Sequence, residues 1–297
     1  MISRRTAIAA LCAAIPSRAQ KISKPTFGLQ TYSLRYDLEK DFPGTLALIR
    51  KMGFEELELS NWPGHTAAEY RRLLDDNGLK AVSMMASYQR LDKEVQTVAE
   101  DARHLGASYV VCSTLPQKNY MTDEECRHAA EFLNSRGEAL AAASLSCCYH
   151  LHGTEFHPSQ EAAALPATTS AAAKMTPAVT VFDTLLKRTE ARFANFEMDI
   201  FWIVYAGQDP VKLLHRYPGR FPLTHVKDIR PGTVLGGLPR DVREEESVPL
   251  GTGLVDIAAA LKAAQQTGVK HHFIEDEAVD AAQQIPKSLR FLETIAW

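Results

Sequence analysis

The stretch FEMDIFWIVYAGQDPVKLLHRYPGRFPLTHVKD, residues 196–228, decides the fold class. It begins with an apolar strand that carries Asp199 near its end, and Asp209 followed by Pro210 then marks the start of a helix. A second strand, residues 221–226, delivers His225. Successive parallel strands with polar side chains at their carboxyl ends are typical of a (β/α)8 barrel, because its active site forms at that end.

Strand-like and helix-like segments alternate along almost the whole chain. The predicted strands are 26–32, 57–59, 79–84, 109–112, 145–150, 193–199, 221–226 and 271–274, and the predicted helices are 42–52, 67–76, 93–105, 123–142, 179–186, 211–216, 255–267 and 285–295. Strict alternation predicts a parallel sheet, and eight units predict that it closes. We therefore predict one α/β domain, a (β/α)8 TIM barrel, over residues 20–297.

Two segments interrupt this alternation. Residues 159–177 are rich in Ala, Thr and Ser and follow the fifth strand, so we expect a loop on the side of the active site. Residues 230–253 contain several glycines and an acidic run, and they follow the seventh strand. We expect this second segment to cover the site.

The N-terminus has the pattern of an export signal. Paired arginines at positions 4 and 5 precede a short apolar stretch, and small residues stand at the −3 and −1 positions of a cleavage site after Ala19. The arginine pair favours the twin-arginine route, so residues 1–19 are predicted to be a signal peptide and the mature protein periplasmic or exported. A helical or disordered N-terminal arm is the alternative interpretation.

Composition narrows the class of partner. Cleavage would remove three arginines and leave 30 basic residues against 36 acidic ones, a net charge of −6. An acidic protein binds nucleic acid poorly, so we predict no nucleic-acid partner. No run of 18 apolar residues is present, which excludes a membrane-spanning helix. The sequence carries no pattern typical of a subunit interface, so it does not decide whether the protein forms a homo-oligomer.

Polar residues of metal-ligand type stand at the ends of several predicted strands. His150 and His152 follow the fifth strand two positions apart, and Glu275 directly follows the eighth. Together with Asp199 and His225, one of these histidines would complete a set of four ligands from four neighbouring strands. Mixed imidazole and carboxylate ligands suit a divalent ion, with manganese the first choice and zinc, cobalt or iron the alternatives.

Such a site favours chemistry on a carbon acid. A metal beside a sugar carbonyl and hydroxyl stabilises an enediolate, and a nearby base can then move the proton. Glu275 is the first candidate for that base and His152 the second. Lys227 and Asp228 either orient the substrate or form a structural ion pair, and the sequence does not decide between these roles.

From Phe27 onward the chain resembles the sugar phosphate isomerase/epimerase family, the xylose-isomerase-like metal-dependent barrels. The matching segments are GLQTYSLR at 28–35, Glu58, YHLHGTEF at 149–156, MDIFWIVYAGQDP at 198–210, PGRFPLTHVKD at 218–228, PLGTGLVD at 249–256 and IEDE at 274–277. The resemblance implies a divalent metal at the barrel mouth and a polyol or ketose substrate. By strand position it favours His150 as the fifth-strand ligand.

The resemblance also implies residues that contact the substrate. We assign this role to Gln30, Tyr32, Glu58, Glu155, Trp202 and Asp228. The function that it implies is a metal-dependent sugar isomerase or epimerase of carbohydrate metabolism. A lyase or hydratase acting on 3-keto-glycosides is a close alternative, because it uses the same proton abstraction.

Two alternatives belong to other classes. Apurinic-site endonucleases resemble the same barrel family, but they need a basic groove, which an acidic exported chain does not provide. A catalytically inactive sugar-binding barrel is the second alternative. It is favoured by Ser83-Met84-Met85-Ala86 after the third strand, where relatives often have a histidine, and by an altered fifth-strand motif, where many have YHNHDFEF.

Overall fold

The eight-stranded parallel sheet predicted from the alternation is present and closes on itself. The computed structural model describes residues 24–60, 64–117, 119–159 and 179–297. The strands of the barrel are β1 (Phe27–Gln30), β2 (Glu56–Leu59), β3 (Lys80–Ala86), β4 (Tyr109–Cys112), β5 (Ser146–His150), β6 (Ala194–Asp199), β7 (Leu223–Val226) and β10 (His271–Ile274). They run in the order β1-β10-β7-β6-β5-β4-β3-β2, all parallel, which confirms the (β/α)8 fold class.

Helices surround the barrel. They are α1 (Arg35–Lys40), α2 (Phe42–Lys51), α3 (Ala67–Asp76), α4 (Tyr88–Leu105), α5 (Asp123–Ala142), α6 (Val181–Arg188), α7 (Ile200–Tyr205), α8 (Pro210–Arg216), α9 (Ile257–Thr267) and α10 (Ala281–Thr294). The predicted start of α8 is confirmed, because the Asp209 side chain accepts a hydrogen bond from the Lys212 amide and Pro210 occupies the first turn. Thr66, Thr122 and Thr180 form capping boxes that fix the starts of α3, α5 and α6.

The prediction of strict alternation was wrong in three places. Two helices rather than one, α1 and α2, lie between β1 and β2. The short helix α7 directly follows β6, because Asp199 ends the strand and caps the helix in one step. A two-stranded antiparallel sheet, β8 (Asp228–Ile229) with β9 (Ser247–Val248), follows β7 and lies outside the barrel. The segment 230–253 therefore leaves the barrel and returns to it through this small sheet.

The period of two along each strand arranges the inside of the barrel in layers. Leu223 and His225 lie two apart on β7, and Phe273 and Glu275 lie two apart at the end of β10, so each pair shares one face of its strand. The apolar member of each pair packs in a small buried cluster with Val111 on β4. An apolar layer therefore fills the barrel below a polar layer at its carboxyl end, as barrel packing requires.

Two predicted features lie wholly or mostly outside the described residues. The proposed signal peptide, residues 1–19, lies outside them, and export stays a prediction. Most of the loop predicted at 159–177 also lies outside them. Within the described part of the chain, no helix has the length and apolar character needed to cross a membrane.

Candidate metal centre and active site

The four predicted metal ligands meet at the carboxyl end of the barrel. His150 ends β5, Asp199 ends β6, His225 lies on β7, and Glu275 directly follows β10. These strands are consecutive around the barrel, and one ligand atom from each residue lies within 4.8 Å of the others. All four side chains are buried. The structure therefore brings together the whole predicted set, with His150 as its fifth-strand member.

The donor atoms of this set face one another. His225 Nδ1 lies 3.1 Å from His150 Nε2, 3.2 Å from Glu275 Oε2 and 3.8 Å from Asp199 Oδ2. His150 Nε2 lies 3.5 Å from the same oxygen of Asp199. Two imidazole nitrogens and two carboxylate oxygens thus converge from four strands, which is the donor chemistry that a divalent cation takes.

The two carboxylate oxygens of Asp199 have different surroundings. Oδ1 accepts a hydrogen bond of 3.2 Å from the Trp202 amide and so caps α7, whereas Oδ2 is buried and accepts none. Burial alone would raise the pKa of Asp199, but the contacts with His150 and His225 outweigh it and lower the pKa. An ionised buried oxygen without a donor costs free energy unless a cation lies beside it.

A second group of buried carboxylates lies on the other side of the His225 ring. Glu58 Oε1 is 2.6 Å from His225 Nε2, and Glu58 is held by Gln30 Nε2, which donates to it at 2.8 Å, and by the Ser83 hydroxyl at 2.5 Å. Glu197 Oε2 lies 3.3 Å from the same nitrogen, yet neither oxygen of Glu197 accepts a hydrogen bond. Burial and the neighbouring Glu58 raise the pKa of Glu197 well above its usual value.

Sequence reasoning missed Glu197. The signal was present, because Glu197 stands two positions before Asp199 on β6 and therefore shares its face of the strand.

The charge balance of this layer fits a bound cation. Burial would lower the pKa of His225, but Glu197, Glu275 and Glu58 raise it well above the usual value. These carboxylates attract the positive charge that a divalent ion at Nδ1 would supply. With Nε2 directed to Glu58, the ring presents Nδ1 to the other three donors, and outer partners of this kind orient histidine ligands. The residues present therefore fit a divalent metal.

Lys227 is paired with acidic residues beside the site. Its Nζ lies 2.6 Å from Glu277 Oε1 and 3.7 Å from Glu275 Oε2, and it sits over the rings of Phe201 and Trp202. Burial would lower the pKa of Lys227, but Glu277 and Glu275 raise it, so the amine is charged. The sequence left two roles open for Lys227, orienting the substrate or forming a structural ion pair. These contacts are those of an ion pair.

His152 lies beyond the end of β5 and next to the candidate ligands. Its ring centroid is 4.4 Å from that of His150 and 6.0 Å from that of Trp202. Gly153 follows with φ of 87°, and a side chain there would come within 2.9 Å of the Trp202 carbonyl oxygen. Burial lowers the pKa of His152 to about 3, and His150 adds to this effect, so the ring is neutral near pH 7.

A cavity of about 420 Å³ opens beside His150, His152 and Glu275. This volume is in the range of small-molecule sites. Of the six residues predicted to contact the substrate, Tyr32 lines it. The lining residues that sequence reasoning did not select are Ser60, Met85, Ser87, Ser113, Thr114 and Glu277. Met85 lies near the end of β3, the others belong to the loops after β2, β3, β4 and β10, and most carry hydroxyl groups.

The other five predicted substrate contacts lie behind the cavity wall. Gln30 and Glu58 are fully buried under His225. Trp202 packs behind His152 and Lys227. Glu155 is buried and bonded to the hydroxyls of Tyr149 and Thr154.

Asp228 holds the small sheet and the loop after it. Its carboxylate accepts hydrogen bonds from the backbone amides of Ile229, Gly251, Gly253 and Val255 at 2.9–3.0 Å. A side chain at Gly253 would come within 2.2 Å of this carboxylate, which explains the glycine. Asp228 is not among the residues that line the cavity, so its contacts describe a structural role.

Known proteins share the fold of this chain. The profile of the xylose isomerase-like TIM barrel family matches residues 46–295. A curated relative, the inosose dehydratase of Clostridium botulinum (strain Eklund 17B / Type B), is 23% identical over 217 residues, and the match covers 66% of each protein, just under two thirds of the relative's length.

Solved structures show the same barrel. A sugar phosphate isomerase/epimerase from Parabacteroides distasonis ATCC 8503 has a TM-score of 0.72 at 23% identity, with 96% of this chain and 97% of that one covered. The IolI protein, solved with a zinc atom, has a TM-score of 0.63 at 15% identity, covering 89% and 95%. At identities below 25%, these two solved structures show that the fold is shared. With the family profile matching most of its length, the chain belongs to the xylose isomerase-like TIM barrel family.

Proposed function

We propose that this protein is a divalent-metal-dependent isomerase or epimerase that removes a proton next to the carbonyl of a sugar or related polyol ketone. The observation that carries the proposal is the convergence of His150, Asp199, His225 and Glu275. Two of them, His150 and Glu275, line a cavity that is rich in hydroxyl groups. Manganese is our first choice of ion, because mixed oxygen and imidazole donors suit it, and zinc, cobalt and iron are the alternatives.

A divalent cation bound by these four residues would polarise the carbonyl and hydroxyl oxygens of the substrate and make the neighbouring carbon acid easier to ionise. The hydroxyls of Ser60, Ser87 and Ser113 face the same cavity and can orient a polyhydroxylated substrate.

Glu275 is our first candidate to accept this proton, through the part of its carboxylate that the metal does not engage. Burial alone would raise its pKa, but the charges of His225 and Lys227 outweigh burial and lower the pKa to about 2, so the carboxylate is ionised at neutral pH. The carbon–hydrogen bond breaks, its electron pair moves toward the carbonyl to give an enediolate, and the proton goes to Glu275. His152, neutral and adjacent, is the second candidate.

The fate of the enediolate separates the candidate reactions. Return of the proton to the opposite face gives an epimer, and return to the neighbouring carbon gives an isomer. Loss of a hydroxide or an alkoxide from the next carbon gives a dehydrated or cleaved product. The second candidate function is therefore a dehydratase or a 3-keto-glycoside lyase, and it is favoured by the inosose dehydratase among the relatives.

The test is solvent deuterium exchange by the manganese-loaded protein, followed by NMR over a panel of ketoses, inososes and 3-keto-glycosides. We expect exchange next to the carbonyl, and we expect Glu275→Gln to lower its rate about 100-fold or more, because a positioned base contributes at least that much. Glu293→Gln, which changes an exposed carboxylate of α10, is the matched control and should keep the full rate.

The same experiment identifies the alternatives. An alkene product rather than a deuterated ketone would establish the dehydratase or lyase reaction. Absence of exchange with every ketone, in a protein that still binds the metal, would contradict the proposal and favour the inactive sugar-binding barrel.

A further inference from the structure

A second, smaller cavity adjoins the one that His150 and Glu275 line. Its volume is about 200 Å³, and Thr114 and His152 line both cavities. None of the four candidate ligands lines it, but His152 connects it to them, because the ring centroid of His152 is 4.4 Å from that of His150. A cavity of about 150 Å³ holds benzene, so the smaller cavity has room for a carboxylate at the end of a short carbon chain.

The two cavities differ in the charge of their walls. The larger one is lined by the carboxylates of Glu275 and Glu277. Among the described residues that line the smaller one, none is acidic, and Arg240 brings a positive charge. A guanidinium stays protonated in proteins, so this charge is permanent. The smaller cavity therefore attracts an anionic group.

The backbone and the side chain of Arg240 are both anchored. The backbone lies in the 3₁₀ turn Pro239–Asp241, where the Asp241 carboxylate accepts a hydrogen bond of 3.0 Å from the Leu238 amide. The guanidinium donates to Asn119 Oδ1 at 3.1 Å. Arginine cannot accept a hydrogen bond, so the oxygen of the Asn119 amide must face it. The same amide then brings a further donor, Nδ2, to this wall of the cavity.

The rest of the wall is also preformed. Gln117 Nε2 donates to the Tyr149 hydroxyl at 3.3 Å, because that hydroxyl gives its own hydrogen to Glu155. Thr154 donates to the same carboxylate oxygen at 3.1 Å. The predicted substrate contact Glu155 therefore supports the cavity from behind and does not line it. A preformed cavity loses less free energy to ordering when a ligand enters it.

We infer that the smaller cavity binds a carboxylate of the substrate, and that the substrate is an acidic ketose, a polyhydroxy ketone with a carboxylate at the end remote from its carbonyl. The Arg240 guanidinium and the Asn119 amide bind the carboxylate, while the ketone and its neighbouring hydroxyl reach the candidate metal ligands beside the larger cavity. This inference rests on the proposed function and names its substrate class.

A carboxylate fits these donors better than a phosphate. The planar guanidinium matches the two oxygens of a carboxylate, and the two groups carry equal and opposite charges. Protein sites for phosphate, which carries more negative charge, typically add the backbone amides of a helix N-terminus or a glycine-rich loop. The described residues that line the smaller cavity instead supply one guanidinium and neutral side chains.

The test compares three ketoses in the deuterium-exchange assay with the wild-type protein: fructose, fructuronate and fructose 6-phosphate. They differ only at the end of the chain remote from the ketone, and the matching tagatose series repeats the comparison at another configuration. We expect the KM of the acid to be at least about tenfold below that of the neutral ketose, because a hydrogen bond to a charged group contributes about that factor.

Arg240→Gln removes the positive charge and keeps a side-chain amide. We expect it to raise the KM of fructuronate about tenfold and to leave the KM of fructose within about twofold. Arg243→Gln is the matched control, because Arg243 belongs to the same segment, is exposed and lines neither cavity. It removes the same charge and should change neither KM.

Asn119→Asp tests the same wall at an exposed position of another loop. Its carboxylate would pair with Arg240 and repel that of the substrate, so we expect the KM of fructuronate to rise about tenfold while that of fructose stays unchanged. Exchange of fructose at the wild-type rate shows that each variant is folded.

Equal KM values for the neutral and acidic ketoses, exchange confined to neutral ketones, or an unchanged KM of fructuronate in either folded variant would overturn this inference while the proposed function stands. A lower KM for the phosphate ester than for the acid would overturn the assignment to a carboxylate. No exchange with any ketone of either panel would overturn the proposed function itself.

Discussion

Two adjacent residues of β7 face opposite sides of the barrel wall, and their surroundings differ. His225 points inward, where Glu58, Glu197 and Glu275 raise its pKa well above the usual value. Thr224 points outward and lies 2.7 Å from Nδ1 of His272, whose pKa burial lowers to about 4. Both histidines are buried, so burial alone does not mark a functional site.

The difference lies in how charge is compensated. On the outer face a neutral imidazole meets a hydroxyl, and each satisfies the other. On the inner face carboxylates outnumber positive groups, and Oδ2 of Asp199 and both oxygens of Glu197 accept no hydrogen bond. A fold retains such an arrangement at a cost in stability, which is expected where a cation or a substrate completes it.

The largest expected change is a loss of metal affinity when one negative charge on the inner face of the barrel is removed. Asp199→Asn keeps a side-chain oxygen to cap α7 but replaces the charged oxygen that faces His150 and His225 with a neutral amide group, whose nitrogen cannot bind a metal. We expect manganese affinity to fall more than about 100-fold, beyond the loss typical of residues that only support a ligand. Isothermal titration with Mn²⁺ measures this change.

Asp209→Asn is the matched control for that variant. Asp209 also caps a helix, accepting a 3.1 Å hydrogen bond from the Lys212 amide, but it lies at the start of α8. It should bind Mn²⁺ as wild type does. Equal affinity for Asp199→Asn and wild type would exclude Asp199 as a ligand.

A smaller loss of metal affinity is expected when the changed residue contacts a candidate ligand but is not itself one. Glu58→Gln retains the shape that receives Gln30, Ser83 and His225 but removes the negative charge opposite His225 Nε2. Since outer partners of histidine ligands tune metal affinity, we expect it to fall about 10- to 100-fold. Titration with Mn²⁺ and with Zn²⁺ would measure the loss for both ions.

Glu56→Gln provides the comparison on the same strand. Glu56 pairs with His271 Nδ1 at 2.9 Å at the other end of β2, so its substitution should leave metal affinity unchanged. An equal loss in both variants would mean that the effect is a general change in charge or stability, and Glu58 would have no specific role in orienting His225.

Sequence patterns predicted the fold and the strand-end ligands for a physical reason. The residue periods that mark strands and helices can be recognised in short segments of sequence. Once the barrel closes, the carboxyl ends of its parallel strands must lie together. Asp199, His225 and Glu275 could therefore be placed together without a structure. The same reasoning separated His150 from His152 only through strand position, and the end of β5 at His150 agrees with that choice.

Other features depend on contacts that no local pattern encodes. Glu58 and His225 are 167 residues apart, and their pairing follows from closure across the barrel. The helix α7 was not predicted, because its apolar residues directly follow β6 with no loop between them. Asp228 was expected near the substrate because it follows a barrel strand, but its contacts are the backbone amides of its own loop.

The last expected effect concerns stability rather than metal binding, and it tests the outer face through pH. The folded pKa of His272 is about 4, below the usual value of about 6.5, so between these values the unfolded chain binds more protons than the folded one. The stability that this group contributes is present above pH 6.5 and is lost as pH falls toward 4. At about 1.4 kcal/mol per pH unit, the loss reaches roughly 3 kcal/mol.

His272→Gln should remove this part of the acid sensitivity. We expect its free energy of unfolding, measured in urea, to fall less than that of wild type between pH 7 and pH 5, even if it is lower at pH 7. His104→Gln, at an exposed position of α4, should keep the wild-type pH dependence. If His272→Gln keeps it as well, the buried imidazole is not a source of acid sensitivity, and the contrast between the two faces would rest on the inner carboxylates alone.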